Sequence, residues 1–131
     1  MIGLDTNVLL RFYLKDDAEQ SPKAEHLLRS LTAEAPGWVA LATILELIWV
    51  MKSKNRSERA EIADALELLL AQDVIVVEQS NVVMRAVRLF RSSKADFADC
   101  LIAESARTAG CTRTFTFDEI AARDLGMELI P

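Results

Sequence analysis

Histidine is nearly absent from this chain: among 131 residues there is one, His26. Zinc sites built on several histidines are thereby excluded, and a Ser-His-Asp triad would have to use His26, inside the amphipathic stretch from Ser21 to Leu31. Cysteine is almost as scarce. Cys100 and Cys111 are too few for a disulfide framework, and their spacing is not that of a zinc knuckle. They read as two reduced, buried thiols. No run of about 18 apolar residues occurs, so no membrane span is expected. The opening MIGLDTNVLL shows neither a basic leader nor a small-residue cleavage site, so no signal peptide is read and the cytoplasm is the expected location. An excess of positive charge is missing too. A net charge of −5 argues against a nonspecific nucleic-acid coat protein. It remains compatible with a nuclease whose metal ions neutralise its site, and with a protein held by a basic partner.

What the chain does have is apolar residues, 51% of the total, enough for a sheet covered on both faces. The length suggests a single domain, residues 1–131. Short apolar runs alternate with segments of helical period. Strands are expected at Met1 to Leu4, Trp38 to Leu41, Val74 to Val77, Arg113 to Phe117 and Met127 to Ile130. The β-branched run Val74 to Val77 suits a strand buried on both faces. Helices are expected at Thr6 to Leu14, from Ser21-Pro22 onward, at Thr43 to Lys54, from Ser57 to Leu70, after a Ser80 cap, at Phe97 to Thr108 behind Asp96, and shortly before Gly126. No repeat, linker or low-complexity tract interrupts them. The expected fold class is α/β, three layers with a central, mainly parallel sheet of about five strands.

Four acids fall where these elements turn. Asp5 follows the first strand, Glu46 lies early in the helix after the second, Asp99 sits in a helix first turn, and Asp118 follows the fourth strand. In a parallel sheet such positions converge at the carboxyl edge, where ligands bind. Carboxylates forced together repel one another, and the usual reason for tolerating this is a hard divalent cation. The usual chemistry is phosphodiester cleavage. Each residue also has a plainer reading. Asp5 and Asp118 could simply cap the helices that follow them. Glu46 could be the exposed side of its helix: Thr43, Glu46 and Val50 share a face, so periodicity does not decide. Asp96 reads as a cap that could instead join the acids through water.

The opening MIGLDTNVLL, then ILELIWVM, then ADFADCLIAESARTAGC, then TFTFD resemble, in this order, a PIN-domain ribonuclease of the VapC-type toxin group. The resemblance covers essentially the whole chain and implies a PIN-like α/β/α domain. It also implies a metal-dependent endoribonuclease, a toxin of a toxin–antitoxin pair, with Mg²⁺ or Mn²⁺ on its acids. The family's acids fall on Asp5, Glu46, Asp99 and Asp118, the last at the family's most variable position. Thr6 and Asn7 could orient Asp5. RNA is the implied substrate, a cognate antitoxin and a second copy of the chain the implied partners. Relatives hold the antitoxin in a groove between early helices, to which Phe12, Tyr13 and Trp49 would contribute; the alternative is that these aromatics, with Trp38, are core. Many relatives place serine at the end of the second strand, where this chain reads WVALAT, and Thr43 stands in as the candidate cap.

Two basic clusters remain. Arg85, Arg88 and Arg91 recur every third residue, with Lys94 after them, and could hold RNA phosphates or form a solvated face. Lys52, Lys54, Arg56 and Arg59 have the same two readings. The competing functions are a non-catalytic module of the same fold, with its acids serving only as caps, and a nuclease acting on DNA. An aspartate-based phosphotransferase is disfavoured because its DxDxT loop is absent: the second residue after Asp5 is Asn7.

Overall fold

The structure is a computed structural model that describes all of residues 1–131. Its elements run β1 (Ile2–Gly3), α1 (Thr6–Leu14), α2 (Gln20–Arg29), β2 (Gly37–Val39), α3 (Leu41–Ser53) and α4 (Arg59–Leu70). They continue with β3 (Ile75–Val77), α5 (Ser80–Ser92), α6 (Phe97–Thr108), β4 (Phe115–Thr116), α7 (Glu119–Leu125) and β5 (Glu128–Leu129). The chain is α/β and every strand pair is parallel. The five strands form two sheets, one of three strands and one of two. Contacts divide the chain into two compact units, Met1–Glu78 and Gln79–Pro131.

In the first unit the strands lie in the order β1-β2-β3. Parallel neighbours need long crossovers, and α1 with α2, then α3 with α4, supply them. Gly37 lets β2 sit close to its neighbours: a Cβ there would stand 2.6 Å from Leu4 Cδ1 and 3.1 Å from Leu31 Cδ1. Val39, Leu9, Ile44, Leu47, Leu66 and Leu69 are almost wholly buried. Each such side chain contributes about 1.5–3 kcal/mol, more than a helix cap at about 1 kcal/mol, so the core selects the fold and the caps trim its ends. Val77 is buried, but Val76 is 43% exposed. The expectation of a strand buried on both faces therefore fails at β3, because the side of the sheet that Val76 faces is open there.

Helix starts show where local reading succeeds and where it fails. Asp5 caps α1, its Oδ1 accepting the Thr6 N–H at 2.8 Å. The α2 helix begins one residue before Ser21, because the Asp17 carboxylate accepts the N–H groups of Glu19 and Gln20 at 2.9 and 2.7 Å. Those two bonds hold the Asp17 carboxyl below the usual carboxylate range. The α3 helix begins at Leu41, so Thr43 lies inside it and is not its cap. The Leu41 N–H instead donates to Glu78 Oε1 at 2.8 Å, across 37 positions of sequence.

The second unit is built on α5 against α6. Val83, Val87 and Phe90 are buried, and the Phe90 ring meets Phe97 edge-on at 5.8 Å. The β4 and β5 strands pair through Phe115↔Glu128 and Thr116↔Leu129. Gly126 ends α7 at a φ of 70°, a left-handed conformation that glycine adopts without a Cβ penalty. No helix of the chain is long and apolar enough to cross a membrane.

Candidate active site

In the second unit, Asp99 feels the charge of two other acids, Asp118 and Asp96. Asp96 stands at the N-cap position of α6 and Asp99 is the third residue of that helix. Asp118 is the N-cap of α7. Asp99 is half-buried. Its carboxyl is held above the ordinary range, first by burial and then by the negative charges of Asp118 and Asp96. A helix N-terminus favours an anion by about 0.3–1 kcal/mol. Burial and crowding act on Asp99 against that preference.

Asp118 is tied in place from both sides. Its Oδ1 accepts the Ala121 N–H at 2.9 Å and its own N–H donates to Thr116 Oγ1 at 2.9 Å. Asp96 corrects the expectation of a working cap: it has the extended backbone of an N-cap but no side-chain hydrogen bond to the helix. Its charge acts on Asp99 instead.

In the first unit, Asp5 is exposed and caps α1. Thr6 behind it is buried and Asn7 is exposed. Glu46 is exposed on α3, whose buried face is Ile44, Leu47, Ile48 and Met51. Within each unit, no group of three or more Asp, Glu, His or Cys side chains closes around a metal position. The donors are of one kind, however. Carboxylate oxygens are what Mg²⁺ and Mn²⁺ take; no imidazole stands in the motif segments, and of their two thiols Cys100 is buried while Cys111 lies beyond the end of α6. The crowding at Asp99 is charge that a divalent cation would neutralise, so the residues fit such an ion.

Among the candidate RNA contacts, Arg85 is held internally. Its Nε lies 3.4 Å from Glu104 Oε2, and its Nη2 donates to Thr108 Oγ1 at 2.8 Å. Arg88, Arg91 and Lys94 are exposed. The Lys94 backbone N–H donates to Asp124 Oδ2 at 2.9 Å, and Arg123 Nε donates to Asp124 Oδ1 at 2.7 Å. Arg123, then that backbone bond, hold the Asp124 carboxyl down at about 2.

Two structural acids escaped sequence reasoning. Glu104 is only 4% exposed and carries Arg85 on one side and Arg107, at 2.9 Å, on the other. The signal was its position: it continues the buried face of α6 after Phe97, Cys100 and Leu101. Glu78 directly follows a β-branched strand, the same context that singled out Asp5 and Asp118. The two cysteines are free, as expected, but only Cys100 is buried; Cys111 is exposed in the turn after α6.

Phe12 and Tyr13 meet edge-on at 5.6 Å and line a cavity of about 390 Å³ together with Leu28, Leu68 and Ile75. The Tyr13 hydroxyl donates to the Ala65 carbonyl at 3.3 Å, and burial pushes its pKa up to about 12. Trp38 and Trp49 do not line that cavity.

Comparison with known proteins agrees with the motif order. Residues 2–124 match the PIN domain family model. The chain is also similar to a VapC ribonuclease of Aquifex aeolicus (strain VF5), with 27% identity over 115 residues, covering 87% of this chain and 84% of the relative. The family match takes in Asp5, Glu46, Asp96, Asp99 and Asp118 together: this chain belongs to the PIN domain family.

Proposed function

We propose that this chain is a metal-dependent endoribonuclease, the toxin of a toxin–antitoxin pair, acting in the cytoplasm as a single domain. The observation that carries the reading is Asp99: half-buried, with its carboxyl raised by burial and by Asp118 and Asp96. A fold that holds carboxylates in this state stores repulsion that a cation relieves. The VapC ribonuclease relative supports the choice of RNA over DNA.

Mg²⁺ or Mn²⁺ is the cofactor, with Asp5, Glu46, Asp99 and Asp118 as its carboxylates. When bound, the ion stabilises charge on the phosphoryl oxygens and promotes attack by water. The chain's own residues do the positioning. The Thr6 N–H fixes one Asp5 oxygen, and the Ala121 N–H fixes one of Asp118. Thr6, Asn7 and Asp96 support the acids, and Arg88, Arg91 and Lys94 hold RNA phosphates, with Arg85 paired to Glu104. The apolar cavity beside Phe12 and Tyr13 receives a segment of the antitoxin, and the toxin pairs with a second copy of itself.

One observation favours a second reading, a non-catalytic module: Asp5 and Asp118 do work as caps. Incubating chelator-stripped protein with a mixed cellular RNA pool, with and without Mn²⁺ or Mg²⁺, separates the two. Discrete fragments are expected only with metal, and Asp99→Asn is expected to lower cleavage at least about a hundredfold, beyond the loss usual for groups one shell out. Full activity in Asp99→Asn, or neither cleavage nor Mn²⁺ binding by the parent protein, would leave the caps as the acids' whole role.

A further inference from the structure

The buried face of α3 is Ile44, Leu47, Ile48 and Met51, yet Trp49 on the same helix is 59% exposed. It stands three residues after Glu46, itself exposed, so the two are neighbours on one outward side. Lys54 places its Nζ 5.8 Å from the centroid of the Trp49 ring. Residues 52–59 carry Lys52, Lys54, Arg56 and Arg59 against the single acid Glu58, in a chain whose net charge is −5. Arg56 sits in the loop after α3 with a φ of 53°, which fixes the turn that brings this segment back to α4.

An exposed indole with a lysine ammonium beside it, followed by a basic segment, is the composition of a single-strand nucleic-acid platform. We propose that Trp49 stacks on an unpaired base of the substrate, with Lys54 and Arg56 on the adjoining phosphates. This rests on the ribonuclease reading and gives Trp49 a positioning role that needs an unpaired base, because paired bases already have their faces covered. The charge pattern selects this occupant. A second copy docking through the same patch would bring two equally basic segments together, since a two-fold interface uses the same patch on both sides. A polyanion is instead complementary to Lys54 and Arg56. The antitoxin, in turn, has the separate cavity at Phe12 and Tyr13.

The test titrates full-length Asp99→Asn protein, free of divalent metal, with an about 12-nucleotide single-stranded RNA of mixed sequence and with the same RNA annealed to its complement. Indole emission is expected to be quenched by the single strand and not by the duplex. The added change Trp49→Ala is expected to weaken single-strand binding about five- to hundredfold. Trp49→Phe keeps a stacking ring, so it retains most affinity while losing the quench. Exposure of the indole makes both variants compatible with folding, which thermal melting checks. Affinity unchanged in Trp49→Ala, or emission unmoved at saturating RNA, overturns the proposal. So does a Trp49→Ala protein that turns monomeric with its RNA binding intact, which would assign the indole to a contact between copies. Cleavage by the parent protein alongside any of these removes the stacking alone. No binding and no cleavage with Mn²⁺ removes the ribonuclease reading with it.

Discussion

In the first unit Asp5 is exposed and bonded to a backbone N–H, and Glu46 stands outward on α3; in the second, Asp118 and Asp96 press their charges on Asp99. Asp5, Asp96, Asp99 and Asp118 lie at helix beginnings, where an acid is welcome, while Glu46 is the sixth residue of α3. Asp5 takes that benefit alone. Asp99 is raised by burial and by the charges of Asp118 and Asp96. A cap accounts for an isolated acid such as Asp5, but not for the crowding at Asp99.

The largest effect that bears on this comparison is cooperative. If residues 1–131 act as one domain, damage in one unit is felt in the other. Leu47→Ala, in the first unit's core, is expected to cost about 2–5 kcal/mol. Both tryptophans report the first unit, and amide exchange of α5 and α6 reports the second. Equal destabilisation by both probes is expected; loss confined to tryptophan emission would mean the units unfold independently.

Next come the caps. Asp5→Ala and Asp118→Ala should each cost about 1 kcal/mol, while the Asn variants keep a capping oxygen and should melt close to the parent. Cleavage is expected to fall in all four. Asn variants that cleave normally would reduce both residues to caps.

The smallest effect is the titration of Asp99. Its carboxyl is raised in the folded state, so the stability linked to it is complete below the unfolded value and is lost as pH rises through the folded one. Without divalent metal, Asp99→Asn should melt above the parent near pH 7, and the gain should vanish toward about pH 4. A gain independent of pH would show that repulsion is not its source.

Much of this was legible in the sequence wherever the signal is local. The bounds of α1 and α6 follow from an aspartate ahead of an apolar period, and the PIN family follows from the order of the motifs. What was not legible is set by residues distant in sequence or by what covers a face. The start of α3 was misplaced because its acceptor is Glu78. Val76 looks like core by type, but its side of the strand is open. Arg85 looked like one of a basic row, but a buried glutamate 19 positions later holds it. That Asp96 serves Asp99's surroundings and not its helix depends on side-chain geometry that no spacing encodes.

The bond from Leu41 to Glu78 also bears on how the protein is made. The helix that carries Glu46 and Trp49 is synthesised well before its first N–H has an acceptor. A nascent chain that ends before residue 78 therefore bears that helix with a loose beginning. Completion of β3 is the event in synthesis that sets it.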